Sequence, residues 1–174
     1  MKLTAEYIKT NYLILSIKLL IVSFFILSLK FGIQRITDYY FAFANYNDSR
    51  FTEYLNISIN EFFLRPTIFL LIPVIGIFIN KKTGWILIQS YFYYLISNLS
   101  FSVKFVDPTD KTLILTNIIG FSLVLLIILI MNKHKISNQT YGIAKTELIS
   151  KNIIASIIGI SITIISVVIK ANGL

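Results

Sequence analysis

Five apolar segments follow one another along this chain, at 11–33, 66–80, 85–103, 112–131 and 152–169, joined by short polar or charged connections. A helix needs about 20 residues to cross a hydrocarbon core about 30 Å thick. The pattern predicts an all-α, polytopic transmembrane helix bundle of about five spans. The segment 66–80 is the shortest and carries Pro73 at its middle, where a backbone bond is lost. The alternative arrangement is therefore four crossings plus a re-entrant segment at 66–80. Of the 174 residues, 56% are hydrophobic. A soluble domain of this size has too much surface for its volume to cover them. The five segments use most of the chain, so residues 1–174 read as a single integral membrane domain. The apolar stretch near the N-terminus is too long for a signal-peptide core and is read as a retained first helix.

The chain contains no cysteine and one histidine, His134. Disulfides, thiolate nucleophiles and cysteine-ligated metals are excluded, and one histidine does not build a multi-histidine site. No cofactor and no metal are expected. No acidic residue falls inside a span, whereas proton- and sodium-coupled transporters usually place one there. No glycine-rich phosphate loop, nucleophile elbow or zinc spacing is present. The expectation is a protein that is not an enzyme.

The net charge of +8 is distributed unevenly. With a cytoplasmic N-terminus and five crossings, the inner side holds Lys2, Lys9, Lys81, Lys82, Lys133, Lys135, Lys145 and Lys151 against Glu6 and Glu147. The outer side holds equal numbers of basic and acidic residues. This is the positive-inside bias. A clustered basic face with stacking aromatics is missing, so nucleic acid is not an expected partner. The richness in Lys, Asn, Ile, Phe and Tyr matches an AT-rich genome and points to a bacterial inner membrane.

Each segment carries its own signal. Lys18 and Lys30 in the first span stand about 18 Å apart along a helix, so each reaches towards a different headgroup layer as a snorkelling anchor. Residues 34–65 form the main outer element and are rich in aromatics. Within them, Phe51, Tyr54, Leu55, Ile59 and Phe62 share one helical face and Glu53, Asn56 and Asn60 the other, which predicts an outer interfacial amphipathic helix. Asp48 or Ser49 is placed to cap it, and Glu61 and Arg65 have helix ion-pair spacing. Pro66 suits a first helical turn. Residues 81–84 read as a tight turn, making the second and third spans a hairpin. Thr109 is placed to cap the fourth span.

The third span is the least lipid-like. Trp85, Ile88, Phe92, Leu95, Ile96 and Leu99 form an apolar stripe, read as its lipid side, while the polar remainder places the helix inside the bundle or at a subunit interface. Gln89, Tyr93, Ser97, Asn98 and Ser100 are the candidates for a polar interior or a pore lining, because polar groups at membrane depth need partners. In the fifth span, Ala155, Ser156, Gly159, Thr163 and Ser166 fall within about 100° of helical arc and form a small-residue packing seam. The seam suits a contact within the chain or between copies in a homo-oligomer. The loop 132–151 is basic and polar and reads as solvated or lying on anionic headgroups.

These readings point to a small, non-enzymatic membrane subunit that acts through helix association, sensing or anchoring. Its partners would be the lipid bilayer, copies of itself and a cytoplasmic protein. In size and composition, though in no motif, the chain is similar to multi-span accessory proteins of bacterial defence or immunity loci. The alternative is an ion channel or small transporter, with span 85–103 lining the path.

Overall fold

A computed structural model describes residues 5–43, 50–61, 63–102 and 110–171. Every regular element among them is a helix: α1 (Ala5–Phe43), α2 (Arg50–Asn60), α3 (Arg65–Phe78), α4 (Lys82–Ser102), α5 (Lys111–Met131), α6 (His134–Ser137) and α7 (Leu148–Ala171). Three are long and apolar enough to cross a membrane: α1 from Asn11 onwards, α5, and α7 as far as Ile169. The other two apolar segments fall short of that standard for different reasons. α3 has only 14 residues, about 21 Å of helix. α4 is long enough but polar over much of its circumference.

Local chemistry sets the ends. Pro66 occupies the first turn of α3, and Pro73 is buried within the helix. After Ile79 the chain turns tightly into α4, bringing Gly76 and Gly84 together. A methyl group on Gly76 would stand 2.8 Å from the Gly84 carbonyl oxygen, so the hairpin closes only because both side chains are missing. The cap of α5 is Asp110, whose carboxylate accepts from the Leu113 N–H at 3.0 Å. Thr109, Asp48, Ser49 and Phe62 lie outside the described residues. α2 stops at Asn60 and α3 starts at Arg65, so Glu61 and Arg65 do not share a helix as their spacing suggested.

Paired contacts fix the directions. Lys18 Nζ donates to Asn80 Oδ1 at 3.1 Å, and the Ser28 and Thr67 hydroxyls pair at 2.9 Å, so α1 and α3 are antiparallel. Trp85 Nε1 donates to the Met131 carbonyl at 3.0 Å while Gly120 lies beside Leu99, so α4 and α5 are antiparallel. Gln89 reaches Asn152, and Thr163 reaches Tyr94, so α4 and α7 run parallel. One end of the bundle collects the turn before α4, the end of α5, α6 and the start of α7. It is rich in lysine and is called the basic end below. The other end carries the far part of α1 together with α2 and is rich in aromatic rings.

α4 is central, in contact with α3, α5 and α7, and this overturns the expected lipid stripe. Trp85, Ile88 and Phe92 are at most 1% exposed, and Leu95, Ile96 and Leu99 pack against the same core. A helix with three neighbours has no free side in its inner half. The apolar stripe therefore contributes to the core instead of facing lipid.

Candidate functional site

Around the first turns of α4, the side chains that interrupt apolar helices converge on Asn152. Its Oδ1 accepts from the Tyr93 hydroxyl at 2.9 Å and from Gln89 Nε2 at 3.3 Å. Its Nδ2 donates to Asn132 Oδ1 at 2.6 Å and to the Leu148 carbonyl at 3.0 Å. Asn132 Nδ2 in turn donates to the Ile128 carbonyl at 2.9 Å. One asparagine thus joins α4, α5 and α7. A buried amide or hydroxyl without a partner is costly, so these bonds fix the mutual register of the three helices. The node leaves one unmet group: Gln89 Oε1 is buried and has no donor among the described residues.

Further along, α7 presses its small-residue face on α4. A methyl on Gly159 would stand 2.5 Å from the Ser90 carbonyl oxygen and 2.7 Å from Tyr93 Cβ. Ala155 and Thr163 are fully buried, and the Thr163 hydroxyl donates to the Gly159 and Tyr94 carbonyls at 3.2 and 3.4 Å. Ser156 and Ser166 are half-buried at the edge, each bonded within its own helix. Of the two uses the seam allowed, this structure shows the contact within the chain.

The polar candidates on α4 divide by height. Gln89 is fully buried, Tyr93 and Ser97 are half-buried, and Asn98 and Ser100 are exposed. Asn98 and Ser100 thus do not line the interior of a single chain, because the helices around α4 leave both positions in its outer part uncovered. Of the two anchors, Lys18 bonds to Asn80 beside the α3–α4 turn, while Lys30 is exposed two residues beyond Ser28 of the Ser28–Thr67 pair.

The loop between α5 and α7 is folded, against expectation. Ile136, Tyr141 and Ile143 are each 1% exposed and join the main core. The Ile143 N–H donates to the Ser137 carbonyl at 2.9 Å, and Asn138 Nδ2 donates to the Ile143 carbonyl at 3.1 Å. Burial pushes the Tyr141 phenol well above its ordinary pKa, and its hydroxyl is unpartnered among the described residues. The loop is clamped to α4 by Lys82 and Glu147, 2.6 Å apart and both part-exposed. The hydrogen bond from Lys82 holds the Glu147 carboxyl below its usual pKa.

Residues 80–83 and 138–142 flank an open cleft of about 640 Å³. Lys81, Thr83 and Gln139 are exposed along it.

Sequence reasoning missed Asn132, Asn152 and the cap of the basic end. The two asparagines border the connection between consecutive antiparallel segments, and that symmetry was the available signal. Ile136, Tyr141 and Ile143 were the only large apolar residues in the stretch between Lys135 and Lys145.

No known protein family, characterised protein or solved structure matches this chain.

Proposed function

We propose that the chain is a small integral membrane subunit that works by association, without enzymatic chemistry and without conducting solute through its own fold. The observation that carries this reading is the complete packing of α4 near the basic end. Trp85, Ile88, Gln89 and Ser90 are 0% exposed. The polar groups of this helix are engaged in joining neighbours, the usual use of such groups between membrane helices.

In this reading α3 and α4 cross beside the three longer apolar helices, giving five crossings. Extended residues at its ends and local thinning of the bilayer accommodate the short α3. The basic end faces the cytoplasm of a bacterial inner membrane. α2 packs on α1 through Ile36, Tyr40 and Ile57, and its other face, with Phe51 and Ile59 exposed, enters the outer headgroup layer as an interfacial helix. The folded loop at the basic end is the surface offered to a cytoplasmic protein, as a membrane subunit of a defence or immunity system would require.

One observation favours the channel alternative in a modified form. Asn98, Ser100, Thr112 and Thr116 are all exposed, so polar groups in the outer half remain for copies of the chain to share. A conducting path would then run between copies, and a homo-oligomer would use these groups instead of the buried seam on α7.

Reconstitution into liposomes loaded with an ion-sensitive dye tests the reading. No flux above that of empty liposomes is expected at any protein density. Flux that rises steeply with density and is lost in Asn98→Leu would overturn it in favour of a pore between copies.

A further inference from the structure

The cleft at the basic end has no role in the reading above. One wall is the turn before α4 and the first turn of that helix. The other is the loop 138–142. Lys81 is exposed and makes no ion pair among the described residues, whereas Lys82 is held by Glu147. The opening turn of α4 leaves backbone N–H groups without helical acceptors and gives that wall positive character. Thr83 and Gln139 add exposed polar groups that can donate hydrogen bonds. Tyr141 belongs to the opposite wall, 1% exposed and with an unpartnered hydroxyl. No acidic residue is among those that line the cleft, and Glu147, the partner of Lys82 beside it, is already engaged.

A cleft with an unpaired cation, a helix N-terminus, neutral donors and no free carboxylate is matched by a compact, multiply charged oxyanion. We infer that this cleft binds a phosphate group. At the end of a membrane bundle, that group is presented by the headgroup of an anionic phospholipid or by a soluble phosphate. The inference goes beyond the proposed function and does not depend on the flux result.

The test uses the full chain in zwitterionic nanodiscs, titrated with short-chain phosphatidylglycerol, with short-chain phosphatidylcholine as the control and inorganic phosphate as a competitor. Retained lipid is counted by native mass spectrometry. The wild-type protein should retain phosphatidylglycerol in preference to phosphatidylcholine. Lys81→Gln should weaken retention about fivefold, the contribution of one lysine near anionic headgroups. Gln139→Trp, which fills the cleft without changing charge, should abolish retention. Lys111→Gln, at the far end of the bundle, should leave it unchanged. The thermal transition of each variant in lipid-free detergent verifies that it is folded. Displacement by inorganic phosphate identifies the phosphate itself as sufficient. Retention that resists phosphate identifies the lipid as the source. Retention weakened equally by Lys81→Gln and Lys111→Gln but untouched by Gln139→Trp would overturn the site in favour of diffuse attraction. Failure both to retain phosphatidylglycerol and to bind inorganic phosphate would overturn it outright.

Discussion

The two ends of the bundle treat their apolar residues in opposite ways. At the basic end, Ile136, Tyr141 and Ile143 come from a loop dense in lysine, yet each is 1% exposed. At the aromatic end, Phe51 is 75% exposed, Phe43 70% and Ile59 64%. One end is covered by the chain itself. The other, where Tyr40 and Tyr54 stack at 4.5 Å but the rings beyond them stay open, is left uncovered by the described residues. In the proposed topology lipid at the headgroup layer supplies the cover, because aromatic and aliphatic side chains of an amphipathic helix gain there what a protein core would give them. The basic end is therefore expected to hold its shape out of the membrane, and the aromatic end to depend on it.

The largest break is expected in the seam that runs from the basic end up α7. Gly159→Leu drives a side chain into the backbone of α4, where neither carbonyl nor Cβ can retreat. The loss should exceed the usual 1–3 kcal/mol of an overpacked core, with α7 detaching. Retained thermal stability of this variant in detergent would mean that α4 and α7 are not in contact.

Tyr141→Ala removes a fully buried ring from the loop and should cost about 3 kcal/mol. Phe51→Ala at the other end should change detergent stability by less than about 0.5 kcal/mol. A pair of thermal melts compares them, and equal losses would erase the distinction between the ends. Asn152→Leu strips partners from Gln89, Tyr93 and Asn132 at once. At about 0.6 kcal/mol for each interhelical bond, the cost should approach 2 kcal/mol. Chemical denaturation in mixed micelles measures it, and a neutral or stabilising change would show that the node does not order the helices.

The smallest effect concerns Lys82 and Glu147. The Glu147 carboxyl is held below its ordinary value of 4.5, so the pair contributes fully above that pH and is lost as pH falls through the lowered value. Glu147→Gln should remove a small acid-dependent part of the stability and leave the rest. A stability–pH profile that is the same with and without Glu147 would assign no role to the clamp.

Much of this was legible in the residues, because some signals are local. Pro66 opening a helix and the tight turn before Trp85 need no knowledge of neighbours. The spacing of Ala155, Gly159 and Thr163 likewise announced a close contact, although not which helix it meets. The errors came where the neighbours decide. The wheel of α4 separates Trp85, Ile88 and Phe92 from Gln89 and Tyr93, and that separation implies a lipid side only for a peripheral helix. α4 is surrounded, so both faces are inside at its lower half. The connection between α5 and α7 was misread because its polar and charged residues far outnumber its apolar ones, while three well-placed apolar side chains are enough to seat a loop on a core. Asn132 and Asn152 were passed over because each stood at the border of a segment, where polarity is ordinary.

In the proposed topology the bundle end that is rich in lysine and closed by the 132–147 loop lies on the cytoplasmic side while α2 lies on the other. Because the chain has no native cysteine, single cysteines at Asn56, Thr83 and Gln139 report on it directly. In intact cells, a membrane-impermeant maleimide should label Asn56→Cys and leave Thr83→Cys and Gln139→Cys unreacted until the membrane is opened. Labelling of Thr83→Cys or Gln139→Cys from outside, with Asn56→Cys protected or not, would contradict the account.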